Sequence, residues 1–277
     1  MHRGTLYLVP TPIGNLEDMT YRGVRVLSEV DLICAEDTRQ TRKLLTHFDI
    51  PTQTISLHEH NEHARIRGLI EQLQAGKDVA IVSDAGTPLV SDPGAKLVAQ
   101  CIEEGIVITP LPGANAALTA FIGSGLGGGA FYFHGFLPRK KKEIREQLEH
   151  LRHLKVPIIF YESPHRMNAT LVTMAEVWGE REAVIGRELT KRYEEFARGK
   201  VKDLGRDEWR GEICFVVAGA DESEQAETTD WWEGLSIRLH VQAYEEQGMQ
   251  KNAAMKQCAL DRNIRKKEVY NDYHGLS

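Results

Sequence analysis

The sequence is poor in cysteine and has no apolar run long enough to cross a membrane. Its four cysteines, Cys34, Cys101, Cys214 and Cys258, are far apart, which excludes a disulfide framework and the usual zinc spacings. No apolar stretch approaches the roughly 18 residues of a membrane span, and prolines interrupt the apolar start too early for a signal peptide. We therefore expect reduced, mostly buried thiols and a cytoplasmic protein without membrane association.

The sequence also lacks an excess of positive charge. Its 277 residues carry a formal net charge of −6, which is unfavourable for binding a polyanion. Six acidic residues fall within 221–233, however, so the rest of the chain is neutral in sum, and basic residues cluster at 139–145 and 262–267. Because local patches set the field that a nucleic acid meets, RNA binding is compatible with this composition. The alternative is that the basic runs are solvated helix faces.

Apolar runs of strand length alternate with helical patterns over the first 220 residues. The short segment DVAIVSD at 78–84, with its continuously apolar centre, is typical of a strand buried on both faces of a parallel sheet. This alternation predicts an α/β fold with a doubly wound first domain, followed by a second α/β domain with a mixed sheet. We predict an N-terminal α/β domain at 1–125, a second α/β domain at 126–220, an acidic linker at 221–233 and a C-terminal helical module at 234–277.

The C-terminal 44 residues show two or three short helical patterns separated by tight turns. This size and pattern are typical of a helix-turn-helix-like module, which commonly contacts nucleic acid. A helical cap on the preceding domain is the alternative interpretation.

Loops of unusual composition follow several predicted strands. They occupy residues 9–20, 83–94 and 110–120, and the sequence FYESPHRM at 160–167 ends a fourth strand. Open α/β sheets bind ligands at the carboxyl ends of their strands, so these loops predict one binding crevice. A structural turn is the alternative for the first loop, and a helix-capping signal at Ser163 and Pro164 is the alternative for the fourth.

The loop at 83–94, SDAGTPLVSDPG, is richer in conformationally special residues than a simple connection requires. Gly86 permits close approach of the backbone to a ligand, and Asp84 at the strand end can accept hydrogen bonds from ribose hydroxyls. The turn before Asn115 leads into a small-residue helix whose free amides suit a polar ligand group. These features favour a binding loop over a structural turn.

Two other patterns have weaker functional interpretations. Residues 123–128 match the G-x-G-x-x-G dinucleotide signature by letter, but they follow a helix and precede a strand, the reverse of the required order. His58, His60 and His63, with Glu59 and Glu62, invite a metal-site interpretation, and H-x-E at 60–62 is similar to part of the zinc deaminase motif, but no P-C-x-x-C follows. We expect no metal in this protein.

Taken together, the motifs resemble those of a known family. PTPIGNLEDMT, CAEDTRQTRKLL, SDAGTPLVSDPG, PLPGANAALTA, HGFLPRKKK, YESPHR and GEICFVVAGA occur in order between Leu6 and Ala220. They resemble the RNA-modifying branch of the tetrapyrrole-methylase-like superfamily, the class III S-adenosylmethionine-dependent methyltransferases. Tetrapyrrole-modifying members carry a G-x-G-x-G opening, whereas this chain has Pro10-Thr11-Pro12-Ile13-Gly14, which favours a different methyl acceptor.

The resemblance implies S-adenosylmethionine in a cleft between two α/β domains. It also implies 2′-O-methylation of a cytidine in the decoding region of 16S rRNA, within the small ribosomal subunit, by a homodimer. By matching motifs, the cofactor-binding residues are expected to be Ser83, Asp84, Ala85, Gly86, Thr87, Asn115, Ala116, Tyr161 and Glu162.

The sequence leaves the choice of a general base open among Glu36, Asp37 and Glu162. Phosphate contacts are expected from bases near the crevice and from the basic run: Arg39, Arg42, Lys43, Arg139, Lys140, Lys141, Lys142 and Arg166. Two alternative functions stay open at this point, a small-molecule methyltransferase acting on a tetrapyrrole-like substrate and a non-catalytic RNA-binding protein on a methylase scaffold.

Overall fold

The first half of the chain builds a parallel sheet. The computed structural model describes residues 3–58, 60–221, 232, 234–246 and 248–275. Five parallel strands form the first sheet in the order β3-β2-β4-β1-β5. They are β1 (Thr5–Leu8), β2 (Leu32–Ala35), β3 (Thr54–Ser56), β4 (Val79–Val82) and β5 (Val107–Pro110).

Helices cover both faces of this sheet, as a doubly wound fold requires. Leu27 of α1 and Leu45 of α2 belong to the apolar core on one face, and Leu69 of α3 and Leu97 of α4 belong to the core on the other. The predicted doubly wound architecture is therefore confirmed. The helices of this half are α1 (Tyr21–Glu29), α2 (Thr38–His47), α3 (Glu62–Gln74), α4 (Ala95–Glu103) and α5 (Ala116–Ser124).

The second sheet is mixed, as predicted. Its order is β6-β7-β10-β8-β9, with β6 parallel to β7 and the remaining pairs antiparallel. The strands are β6 (Tyr132–Phe136), β7 (Ile158–Glu162), β8 (Glu182–Arg187), β9 (Glu195–Lys200) and β10 (Ile213–Val217).

Different helices cover the two faces of this second sheet. α6 (Lys141–Leu151) and α7 (Pro164–Trp178) cover one face with a core that includes Leu148 and Met174. Ala120 and Phe121 of α5 pack on the opposite face. Both sheets belong to one compact unit, Met1–Ala220, and the domain boundary near residue 125 stays a prediction.

The second compact unit is Asp221–Ser277. Its described helices are α8 (Ile237–Glu246), α9 (Lys251–Asp261) and α10 (Lys266–Tyr273), which confirms the predicted helical module. Val241, Met255, Cys258 and Val269 form its apolar core. The turn between α9 and α10 is short, as in a helix-turn-helix. Most of the predicted acidic linker lies outside the described residues, and no described helix has the length and apolarity to span a membrane.

Some local features differ from the sequence interpretation. The helix α2 and the short strand β3 were not predicted, because α2 buries only Thr41 and Leu45 and β3 is three residues long at the sheet edge. Helix α7 begins at Pro164 as expected, but the Ser163 side chain makes no capping hydrogen bond. All four cysteines are free and buried, as predicted.

Candidate functional site

A cavity of about 430 Å³ lies where strand-end loops of both sheets meet. Its volume falls within the range of roughly 300–1,000 Å³ that is usual for small-molecule sites. Its walls combine apolar side chains with carboxylates and loop backbone. The lining residues are Ile13, Asp84, Ala85, Gly86, Thr87, Val90, Ser91, Asp92, Asn115, Ala116, Phe136, Tyr161, Glu162, Ser163, Pro164, Leu189, Gly211, Glu212, Ile213 and Cys214.

Backbone pairing fixes two of the strand-end loops to each other. The N–H of Thr11 donates to the carbonyl of Gly86 over 2.9 Å, and the N–H of Gly86 donates to the carbonyl of Thr11 over 3.0 Å. The hydroxyl of Thr11 also donates to the carbonyl of Ser83 over 3.1 Å. The first loop thus holds the SDAGTP loop in place from one side.

Gly86 has a conformation that few other residues adopt. Its φ is +86°, and a Cβ at this position would lie 3.1 Å from a methyl group of Ile13. The adjacent Thr87 donates its hydroxyl proton to the carbonyl of Ala114 over 3.0 Å. Because the loop is anchored on both sides, its backbone is preorganised at the cavity wall.

The start of helix α5 forms a second wall. Asn115 caps this helix, with its side-chain oxygen accepting from the N–H of Leu118 over 3.0 Å. The Tyr161 hydroxyl accepts a hydrogen bond from the backbone N–H of Ala117, and burial raises the pKa of that hydroxyl, so it stays neutral. A helix N-terminus and a neutral phenol together offer polar groups without fixed charge.

Glu162 lies beside the cavity but is already engaged by protein donors. The side chain is buried (3% exposed) and accepts from the N–H of Ser163 and the hydroxyl of Thr170, both over 2.7 Å. The Arg166 guanidinium lies 3.3 Å from the same carboxylate and also donates to the carbonyls of Leu137 and Pro138. Both side chains thus join β7 and α7 to the loop after β6.

Four carboxylates cluster at the ends of β2 and β4. The N–H of Asp37 donates to the Asp84 carboxylate over 3.0 Å. Burial, with the charges of Asp84 and Asp37, raises the pKa of Glu36. Hydrogen bonds from Arg39 lower the pKa of Asp37 to about 2. Burial, with the charges of Glu36 and Asp84, raises the pKa of Asp92 to about 6. Within the cluster, Asp37 is therefore firmly ionised, whereas Glu36 and Asp92 resist ionisation.

A strained segment after β8 contributes the opposite wall. Leu189 is buried among apolar side chains. Its two neighbours in the chain, Glu188 and Thr190, have positive φ angles of 50° and 69°, respectively. The Lys191 ammonium lies 2.9 Å from carboxylate oxygens of both Glu188 and Glu212. Such conformations cost about 1–3 kcal/mol each and persist where surrounding structure enforces them.

The predicted cofactor residues largely converge on this cavity. Eight of the nine line it, and Ser83 supports it from beneath through a 2.8 Å hydrogen bond to the Gly86 carbonyl. Glu36 and Asp37, two of the candidate bases, lie outside the lining set of described residues. The sequence analysis did not predict Leu189 and Cys214 as cavity residues, because only tertiary packing brings them to the cavity. It also did not single out Asp92, although this acid lies in the predicted binding loop at 83–94. The ligand contacts of these residues stay predictions.

Seven of the eight predicted RNA-binding residues lie on two surfaces, whereas Arg166 is engaged by Glu162 beside the cavity. The first surface is a shallow groove on α2, lined by Thr38, Arg39, Arg42, Lys43 and Thr46. Arg39 is paired with Asp37 over 2.7 Å.

The α6 lysines are each paired with a glutamate. Lys140 contacts Glu143 over 2.8 Å, and Lys141 contacts Glu176 over 2.9 Å. Lys142 lies 3.8 Å from Glu146, and Arg139 is exposed just before the helix. The α6 surface therefore has a weaker positive field than its sequence suggests.

The histidine-rich segment shows no metal-binding geometry in the described part of the chain. No described group of three or more histidine, cysteine, aspartate or glutamate side chains is arranged to hold an ion, and Glu59 lies outside the described residues. Glu62 is instead buried, and its carboxylate accepts from the N–H groups of Gly94 and Lys96 at the start of α4.

The fold and the strand-end cavity define a class of protein. The family model of tetrapyrrole (corrin/porphyrin) methylases matches residues 5–205. A crystal structure of uroporphyrin-III C-methyl transferase from Thermus thermophilus, complexed with S-adenyl homocysteine, has the same fold, with a TM-score of 0.54 and 16% identity over 78% of this chain and 97% of that one.

Curated relatives narrow the class. The chain is 50% identical to ribosomal RNA small subunit methyltransferase I of Bacillus subtilis (strain 168), covering 98% of this chain and 94% of the relative. It is 51% identical to the protein of the same name from Halalkalibacterium halodurans, covering 98% and 95%. The chain therefore belongs to the ribosomal RNA small subunit methyltransferase I group of the tetrapyrrole methylase family, and it is a methyltransferase.

Proposed function

We propose that this protein transfers a methyl group from S-adenosylmethionine to the ribose 2′-hydroxyl of a cytidine in the decoding region of 16S rRNA. The observation that carries the proposal is the cavity at the strand ends, in a chain that is 50% identical to a ribosomal RNA small subunit methyltransferase. Its substrate is the small ribosomal subunit, and it acts in the cytoplasm as a homodimer.

The cavity suits a nucleoside with an amino-acid tail. Ile13, Leu189 and Cys214 offer apolar surface for a flat ring system, and the Gly86 backbone allows close approach. Asp84 is available to ribose hydroxyls or to an ammonium group. We assign the cofactor contacts to Ser83, Asp84, Ala85, Gly86, Thr87, Asn115, Ala116, Tyr161 and Glu162.

S-adenosylmethionine would supply an activated methyl group bonded to a positively charged sulfur. The protein's part is to hold the acceptor hydroxyl about 3 Å from that methyl group and in line with it, which accounts for a large share of the acceleration. The apolar side chains of the wall would limit water near the reacting atoms, and the hydrogen-bonded loops would keep the donor in one orientation.

An exposed aromatic ring at the cavity supports a nucleotide acceptor. Phe136 ends β6, lines the cavity and is 57% exposed, so its ring is accessible to a ligand. Its ring lies 5.5 Å from that of Tyr161. Single-stranded RNA is commonly recognised by stacking of an unpaired base on an aromatic side chain, and we assign Phe136 this role for the target cytosine.

Basic side chains around the cavity would bind the RNA backbone. We assign phosphate contacts first to Arg42 and Lys43 on α2. Arg39, Arg139 and the three α6 lysines, Lys140, Lys141 and Lys142, extend this surface. Arg166 is the least suited of the predicted residues because its guanidinium already serves Glu162 and two carbonyls.

The test is transfer of labelled methyl from S-adenosylmethionine to small ribosomal subunits that lack the modification. Digestion to nucleosides should place the label in 2′-O-methylcytidine. Label in the base, or in another nucleoside, would contradict the proposed acceptor. Calorimetric titration with S-adenosylhomocysteine separates an enzyme from a non-catalytic RNA-binding protein, since the latter has no need of the ligand.

A further inference from the structure

A ribose hydroxyl is a poor nucleophile near neutral pH, so the reaction gains from a group that removes its proton. Two of the candidates from sequence are engaged by other donors. Asp37 caps α2 and is bound by the Arg39 guanidinium over 2.7 and 3.0 Å. Glu162 is buried, accepts from Ser163 and Thr170 and is ion-paired with Arg166, so its carboxylate has little capacity left for a substrate.

Two members of the carboxylate cluster, Glu36 and Asp84, are also less well placed. Glu36 lies outside the described residues that line the cavity. Asp84 lines it and accepts the Asp37 N–H, and its position at the end of β4 suits binding of the donor.

Asp92 lines the cavity and is free of the structural task that its position in the chain suggests. An aspartate just before a helix usually caps it, but α4 begins at Ala95 with Gly94 as its N-cap. The buried Glu62 carboxylate takes over this task, accepting from the N–H of Gly94 over 3.1 Å and of Lys96 over 3.2 Å. The half-buried Asp92 side chain therefore faces the cavity without serving the helix.

The groups around Asp92 come from its own loop and from two other elements. Asp84 begins the same loop after β4, Glu36 follows β2, and Tyr161 lies on β7 of the facing sheet. The Ser83 hydroxyl donates to the Gly86 carbonyl over 2.8 Å, and its interaction with the Asp92 carboxylate opposes the rise in the pKa of Asp92. Burial and the two negative neighbours raise the pKa of Asp92 to about 6, which places it close to the range in which a general base works at neutral pH.

We propose that Asp92 is the proton acceptor for the nucleophilic hydroxyl, an inference that rests on the proposed function. The hydroxyl oxygen forms a bond to the methyl carbon while its proton passes to the Asp92 carboxylate. The electron pair of the broken carbon–sulfur bond stays on sulfur. Asp92 then releases the proton to solvent.

The test is single-turnover methyl transfer to unmodified small subunits as a function of pH. The wild-type rate should rise with pH and level off, with its midpoint at or below about pH 6 because the positive sulfur of the donor favours the ionised carboxylate. In Asp92→Asn the rate should fall by about 10²–10⁴-fold and the rising limb should disappear. In Asp92→Glu the limb should persist.

Glu36→Gln supplies the discriminating comparison. Removing one negative neighbour should move the rising limb to lower pH without abolishing it, since the proton acceptor is still present. Loss of the limb in Glu36→Gln, with the limb intact in Asp92→Asn, would assign the role to Glu36 and overturn the proposal.

S-adenosylhomocysteine affinity, measured by calorimetry on each variant, provides a readout that does not depend on turnover. We expect Asp92→Asn to keep its affinity within about threefold, which is under 1 kcal/mol. A loss of affinity comparable to the loss of rate would make Asp92 a donor-binding residue instead. If the wild-type protein transfers no methyl group at all, the proposed function fails, whereas an active Asp92→Asn variant with a normal pH profile defeats only this inference.

Discussion

Thr11 and Gly86 exchange two backbone hydrogen bonds, of 2.9 and 3.0 Å, and so join the loops that follow β1 and β4. This isolated antiparallel bridge lies beyond the parallel pair β1 and β4, and Gly86 has a φ of +86° within it. The backbone geometry of these two loops thus shapes the cavity wall, and a side chain at position 86 would disturb that geometry.

Gly86→Ala should weaken donor binding and destabilise the fold. The left-handed backbone costs an alanine about 1 kcal/mol or more, and the new methyl group would press on Ile13 at 3.1 Å. Calorimetry with S-adenosylhomocysteine and thermal unfolding measure the two effects. Gly68→Ala is the matched control: nothing lies within 4 Å of its added Cβ in helix α3, and it should be neutral or stabilising by up to about 1 kcal/mol. Equal behaviour of the two variants would contradict this account.

Phe136→Ala should impair RNA methylation more than donor binding. Loss of a stacked base costs about 1–3 kcal/mol, so kcat/KM for small subunits should fall by about tenfold or more. Phe131→Ala is the control, because Phe131 packs on Phe121 and is absent from the described cavity lining. A rate for Phe136→Ala equal to that of the control would remove the stacking role.

Reversing charge on α2 should weaken binding of the RNA substrate. Arg42→Glu with Lys43→Glu replaces two bases of the α2 groove, and the slope of affinity against salt should fall in magnitude by about 1–2. Replacing Lys140, Lys141 and Lys142 with glutamate should also weaken substrate binding while leaving donor affinity intact. The effect per lysine should be smaller, since each is already paired with a glutamate. Arg67→Glu, at an exposed pair on α3, should change nothing; a similar loss there would indicate a nonspecific charge effect.

Asp92→Asn should stabilise the ligand-free fold at alkaline pH. The folded pKa of Asp92, about 6, lies above the ordinary value of 3.8, so the native state binds more protons in this interval and stability declines as pH rises through it. The resulting loss of folding stability is absent below about pH 4 and nearly complete above about pH 6. The substitution should therefore raise the free energy of unfolding near pH 8 by about 1–2 kcal/mol, after allowing for partial solvent screening, and leave it unchanged near pH 4. Denaturant unfolding at both pH values checks this, and destabilisation at pH 8 would contradict it.

Acidic substitutions on the outer face of α5 should dissociate the proposed homodimer. Leu118 and Ile122 are one turn apart and 48% and 76% exposed, and burial of such a pair between subunits would release apolar surface from water. Leu118→Glu with Ile122→Glu should sediment as a monomer. Val172→Glu, at an exposed apolar position on α7, should keep the wild-type mass. A wild-type monomer would contradict the homodimer itself.

The hydrophobic pattern of the sequence was sufficient to predict most of the helices and strands, because burial of an element imposes such a pattern on its residues. The apolar centre of the segment at 78–84 forms the central strand β4 (Val79–Val82), and Gly76 follows α3 with a positive φ, as is common at helix ends. The helix α2 escaped prediction because its ten residues are mostly polar and bury little. Its helical state depends on the Asp37 cap and on packing of Leu45, and neither produces a strong pattern in sequence.

The sequence by itself determined the alternation of strands and helices, the positions of the strand-end loops and the family to which the chain belongs, since these depend on local pattern and on runs of neighbouring residues. Only the tertiary structure decided which carboxylates are committed to structural contacts and which face the cavity. Glu62, thirty residues before Asp92 in the chain, caps α4 and so frees Asp92. Which of these two carboxylates caps the helix depends on distances in the folded structure and on desolvation. Neither can be recognised from local sequence, because the residues involved are far apart in the chain.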